Sequence, residues 1–102
     1  MVCQVVLKKF NKFQSKIGDL WSYKPEDNPM NISWLVEEAS ECLKLMKQSL
    51  KDDKTIDTKE LSIELGDLLT CMANIANANG LSLKDIANDA YAKMQDRKEE
   101  QS

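Results

Sequence analysis

Val36-Glu37-Glu38-Ala39-Ser40-Glu41 and Glu64-Leu65-Gly66-Asp67 decide how this chain folds. Each stretch carries an acidic pair at i and i+3, Glu38 with Glu41 and Glu64 with Asp67, and 22 residues separate the pairs. Both pairs lie inside sequence that otherwise reads as buried helix. On a wheel of about 100° per residue, Glu38 falls between Leu35, Ala39, Cys42 and Met46 on one side and Trp34 and Leu45 on the other. Glu64 falls likewise among Leu61, Leu65, Leu68, Cys71, Met72 and Ile75. Glu41 and Asp67 each stand about 60° to the edge of these faces. A carboxylate on an apolar face must neutralise, pair or bind a cation. Four carboxylates brought together repel one another, and a hard divalent ion with oxygen ligands relieves that repulsion; Mg2+ or Mn2+ suits such a set.

Lys51 to Asp57 is a short polar connection between the two acidic helices, so they pair antiparallel. Glu41 and Glu64 lie about equally far from this turn, which places the two acidic pairs at the same height. Outward from this hairpin, an apolar stripe of Val2, Val6, Phe10, Phe13, Ile17 and Leu20 predicts a first helix from about Val2 to Leu20. Pro25, Asp27, Asn28 and Pro29 predict a loop from Lys24 to Asn31, and the second helix is expected to begin near Asn31 or Ser33, with Ser33 as its cap, and to end near Leu50. Asp57 is the expected cap of the third helix, with Glu60 at the capping-box position, and Gly80 is its expected stop. Ser82 and Asp85 open a fourth helix along Leu83, Ile86, Ala87, Ala90, Tyr91 and Met94, and the charged tail from Asp96 is expected to fray. The fold class is therefore all-α, a four-helix bundle within a single domain over residues 1–102.

Composition narrows the functions. A chain of 102 residues buries roughly 60–70% of its unfolded surface, a modest core. Long helices in so short a chain leave apolar faces for a partner subunit. The formal charge of −3 provides no basic stripe, which disfavours a nucleic-acid polymer as ligand. Three cysteines, Cys3, Cys42 and Cys71, form no CxxC and indicate a reducing, cytoplasmic setting without a disulfide framework. There is no signal peptide and no apolar run near ~18 residues, so neither secretion by that route nor a membrane span is expected. The chain has no histidine. That excludes the Glu-x-x-His sites of di-iron bundles and any Ser-His-Asp or Cys-His catalysis. An EF-hand from Asp53 to Glu64 fails because Thr58 replaces the obligatory glycine and Lys59 lies inside the loop.

The two acidic stretches resemble the signature of the MazG-type nucleoside triphosphate pyrophosphohydrolases, ExxE, a spacer, then ExxD, here with the wording EExxE and ELGD. The resemblance runs from about Ser33 to Arg97. Asn74 stands where the family often has asparagine, seven residues after the motif aspartate, and Lys93 and Arg97 stand where members carry a basic pair. Tyr91 departs from the asparagine that many members have two residues before that lysine, which bears on the substrate contacts.

The resemblance implies a homodimer or homotetramer that hydrolyses a nucleoside or deoxynucleoside triphosphate to the monophosphate and pyrophosphate with Mg2+, or Mn2+ in its place. It implies that Glu38, Glu41, Glu64 and Asp67 hold metal. Glu38 or Glu41 would orient or deprotonate the attacking water. Lys93, Arg97 and Asn74 would contact substrate. Trp34, one turn before Glu38 on the same side, is the best placed of Trp21, Tyr23 and Trp34 to stack on a base. The alternatives are a non-catalytic helical interaction module, in which the acids pair with lysines, and a nucleotide sensor that binds without efficient turnover.

Overall fold

A computed structural model describes residues 4–101, with side chains from residue 8 onward. It contains four α-helices: α1 (Gln4–Leu20), α2 (Asn28–Lys51), α3 (Thr58–Ala78) and α4 (Leu83–Glu100), with no strand among the described residues. Val2 and the side chain of Val6, expected on the first stripe, lie outside those limits, as does Cys3. α2 and α3 form the antiparallel hairpin, and α1 packs against both α3 and α4.

Local chemistry sets the boundaries. The Asp57 carboxylate accepts from the backbone N–H groups of Lys59 at 3.0 Å and Glu60 at 3.1 Å and so starts α3. Gly80, at φ +67°, supplies the left-handed residue that ends this hairpin arm. The Ser82 hydroxyl accepts from Asp85 N–H and starts α4.

Two boundaries differ from those expected. α2 begins at Asn28 rather than at Asn31 or Ser33, after a 3-10 turn at Pro25–Asp27. Pro29 falls in the first turn of α2, where its missing N–H has no intrahelical acceptor to lose, so the proline opens the helix instead of breaking it. Ser33 thus sits inside the helix and caps nothing. At the other end, α4 continues through Asp96 to Glu100 instead of fraying, with Arg97 and Lys98 in its last turn, where cations favour the helix dipole.

The core is small. Ala73, Ala76 and Leu83 are buried, with Phe10, Phe13 and Ile17 of α1 packed against them. Polar contacts join the same elements. The Gln14 side-chain amide donates to Asn77 Oδ1 at 2.9 Å and to the Leu81 carbonyl at 2.7 Å, while its Oε1 accepts from Leu83 N–H at 2.7 Å. Asn77 Nδ2 donates back to the Gln14 carbonyl at 3.1 Å. One side chain thus ties α1 to the α3–α4 corner. Gln14→Ala is expected to lower unfolding free energy by about 1–3 kcal/mol, because it strands several part-buried partners at once; urea denaturation followed by circular dichroism measures it. Asn28 and Asn79 exchange amide hydrogen bonds of 2.8 Å and close the base of the α2–α3 hairpin.

The chain is open. Its radius of gyration is 16.1 Å, against roughly 13 Å for a compact chain of this length. Its accessible surface is 7751 Å2, against roughly 5,800 Å2 for a compact monomer of its mass. It therefore buries less than the fraction expected from length alone, and most of its large apolar side chains on α2 remain exposed. Among the described residues no helix is long and apolar enough to cross a membrane.

Candidate metal centre

The antiparallel hairpin brings one acidic residue of α2 against two of α3. Glu38, Glu64 and Asp67 each offer a carboxylate oxygen, and the three oxygens lie within 4.8 Å of one another. Glu38 and Glu64 are half-buried and Asp67 is exposed. Glu64 and Asp67 are one turn apart on α3, so a single stretch of helix presents both to Glu38.

Electrostatics record how crowded this arrangement is. The Glu38 carboxyl is pushed from 4.5 up to about 6. The first cause is a hydrogen bond with Glu64, in which a proton held by one carboxyl is shared with the other; burial and the negative charges of Asp67, Glu64 and Glu41 add to it. The Cys71 thiol is also raised, first by burial and then by the charges of Glu38 and Asp67. Cys71 therefore stays a neutral thiol beside the acids rather than a thiolate ligand.

Glu41 stands outside the three-oxygen group. It is half-buried and its Oε1 accepts from Lys44 Nζ at 3.0 Å, one turn further along α2. Its charge still reaches Glu38. Three of the four acids singled out in the sequence thus come together, and the fourth is turned to a lysine at their edge.

The donor set fits a hard divalent cation. Three oxygens close enough to share one ion, with like charges already raising one carboxyl, gain by binding positive charge. Lone carboxylates at this spacing repel, so a bound ion would lower the free energy of the folded chain as well as serve chemistry.

A cleft of about 400 Å3 opens beside the acids, lined by Trp34, Glu37, Glu38, Asp67, Thr70 and Cys71. Trp34 lies on the same cleft as Glu38. Its ring meets Tyr23 edge-on, with centroids 6.2 Å apart and planes at 71°, which holds the indole while leaving it 39% exposed. Trp21 is exposed and does not line the cleft. Asn74 is buried at 7% exposure, and its Oδ1 has no hydrogen-bond partner. Lys93 and Arg97 lie exposed on α4, and neither lines the cleft.

Sequence reasoning missed Asn31. It is 1% exposed, and neither atom of its side-chain amide has a partner. The signal was available: Asn31 lies one turn before Leu35, on the side of α2 that faces α3. A helix expected to begin near Asn31 or Ser33 gives that position no buried face.

The chain matches the family model for the MazG nucleotide pyrophosphohydrolase domain over residues 27–101. This stretch takes in the hairpin, the acidic cluster and α4, and leaves α1 outside. No curated protein and no solved structure matches the chain.

Proposed function

Because the chain belongs to the MazG nucleotide pyrophosphohydrolase family, we propose that it is a metal-dependent enzyme that hydrolyses a nucleoside or deoxynucleoside triphosphate to the monophosphate and pyrophosphate. The observation that carries this reading is the group of three carboxylate oxygens within 4.8 Å across α2 and α3, next to a cleft walled by Trp34. Surplus or non-canonical nucleotides are the proposed substrates, and the working form is a homodimer or homotetramer.

Glu38, Glu64 and Asp67 hold the metal, with Mg2+ the natural ion and Mn2+ an alternative. Bound there, the ion would neutralise triphosphate charge and acidify a water. Glu41 is assigned as the base. It stands one turn from Glu38, close enough for its charge to be felt there, and its oxygens are not drawn into the three-oxygen group. The water oxygen attacks the α-phosphorus, its proton passes to the Glu41 carboxylate, and the bond from the α-phosphorus to the bridging oxygen breaks. Pyrophosphate leaves with that electron pair. Lys44 holds Glu41 in place before the transfer. Glu38 serves as ligand and also shares in orienting the water.

Trp34 stacks on the base at the mouth of the cleft. Asn74, buried on the helix that carries Glu64 and Asp67, is the proposed polar contact to substrate or its water. Lys93 and Arg97 supply phosphate contacts, for which two cations one turn apart are suited.

The test is a panel of nucleoside and deoxynucleoside triphosphates with Mg2+ or Mn2+, with products separated by ion exchange. Monophosphate and pyrophosphate are expected, and EDTA stops their formation. Failure to release pyrophosphate from any member overturns the proposal. Diphosphate with orthophosphate would retain the metal site but overturn attack at the α-phosphorus. The assignment of Glu41 has its own test: Glu41→Gln lowers kcat by about 10²–10⁴-fold while Mn2+ affinity stays within a few-fold of the unsubstituted protein. Loss of Mn2+ binding in that variant makes Glu41 a ligand instead.

A further inference from the structure

Asparagines gather where α2 begins and α3 ends, and two of them leave their amides unused. Asn28 and Asn79 exchange hydrogen bonds of 2.8 Å, and Asn77 is paired with Gln14. Asn31 and Asn74, 1% and 7% exposed, differ. Asn31 Nδ2, Asn31 Oδ1 and Asn74 Oδ1 are buried and have no partner among the described residues. A buried amide left unpaired is costly, and native chains rarely keep one without a use.

Their position points to the use. Asn31 lies seven residues before Glu38 on α2, and Asn74 lies seven residues after Asp67 on α3. The helices run antiparallel, so both amides stand at one level, two turns or about 10 Å along the hairpin from the acids. Trp34, Thr70 and Cys71 line the cleft at the level between. A helical side chain leans over the turn before its own, which for Trp34 is the turn that carries Asn31. Acids, aromatic ring and amides thus follow one another along the hairpin. A nucleotide has the same order of parts over a similar span: phosphates, then sugar and ring, then the polar edge of the base.

We propose that Asn31 and Asn74 read the base of the substrate and select bases that carry an exocyclic amino group. The assignment rests on the acids being the phosphate end of the site. The unpaired atoms set the inventory, one amide NH2 group that donates and two oxygens that accept. Cytosine and adenine offer the complement, an amino group with two N–H donors next to a ring nitrogen that accepts. Their deaminated forms, uracil and hypoxanthine, present a single ring N–H beside carbonyl oxygen, which leaves one asparagine oxygen buried and unpaired. Turning Trp34 away from Tyr23 opens the amides to the base and gives the base a ring to stack on.

Calorimetric titration of the full chain with CMP, UMP, AMP and IMP in Mn2+ tests base selection apart from catalysis. CMP is expected to bind about tenfold or more tightly than UMP, and AMP likewise than IMP. The same ratios are expected in kcat/KM for the triphosphates. Asn31→Leu, close to the same size, is expected to bring each ratio to within about twofold of unity and to raise Tm by a few degrees, because it removes an orphaned amide from the free chain. An Asn31 that holds a buried water for the sake of the fold predicts the opposite, a lower Tm and unchanged ratios, and either result overturns the proposal. Equal affinity within both pairs for the unsubstituted protein overturns it without any variant. Base selection among the monophosphates with no hydrolysis of triphosphates would overturn the catalytic reading and leave this one standing. Pyrophosphate release with equal kcat/KM from CTP and UTP, and from ATP and ITP, would do the reverse.

Discussion

Glu38→Gln and Asp67→Asn are each expected to lower Mg2+-dependent pyrophosphate release by roughly a hundredfold or more, while leaving the metal-free fold at least as stable as before. The two effects have one cause. Glu38, Glu64 and Asp67 crowd three carboxylate oxygens within 4.8 Å, an arrangement that costs folding energy unless a proton or a cation is present. An amide in place of one carboxylate removes the repulsion and the ligand together. A purely structural acid, paired with lysines for assembly, would behave in the opposite way: its amide variant would lose stability and change no metal-dependent reaction. Thermal melting in EDTA, beside initial rates in Mg2+, separates the two. Activity that survives both substitutions would remove the acidic cluster from the chemistry.

The pH dependence of stability is the second large effect. Glu38 is pushed from 4.5 up to about 6 in the folded chain, first by its hydrogen bond with Glu64. Between these two values the folded chain therefore holds more protons than the unfolded chain, and stability from this group falls as pH rises. The contribution is complete below about pH 4.5 and is lost as pH passes through about 6. In EDTA, the difference in Tm between the unsubstituted protein and Glu38→Gln is expected to move against the unsubstituted protein across that window. Mg2+ at pH 7.5 should restore stability by replacing the proton, and at pH 4.5 it should do little, because proton and cation compete for the same oxygens. A Tm difference that stays flat from pH 4 to 7.5 would mean that Glu38 gains no proton from its place in this cluster.

The hairpin and its acids were legible from sequence because two independent patterns agree. The apolar periodicity around Glu38 and Glu64 gave the helices, and their equal distances from the Lys51–Asp57 turn gave the shared height. The side-chain detail was not legible. Glu41 is as near the turn as Glu64 is, yet Lys44 at 3.0 Å draws its carboxylate away, a rotamer choice that spacing does not encode. The start of α2 was misplaced because Pro29 reads equally as a breaker or as a first-turn residue, and only the 3-10 turn before it decides. The back of α2 was legible only in general terms, as an apolar face that long helices in a short chain leave uncovered. A wheel centred on Glu38 shows one broad apolar arc. On it Leu35 and Cys42 lie within about 60° of Glu38, on the α3 side, and Val36, Leu43 and Leu50 follow about 120–160° round, where the chain leaves them exposed. One apolar arc shared between a neighbour in the chain and solvent looks the same in sequence as one covered entirely from within.

Hydrolysis in water enriched in oxygen-18 is the most direct test of the central claim. Attack at the α-phosphorus predicts one labelled oxygen in the nucleoside monophosphate and none in pyrophosphate, with neither product formed when Mg2+ is withheld. Label in pyrophosphate or orthophosphate, or turnover that persists in EDTA, would contradict the account.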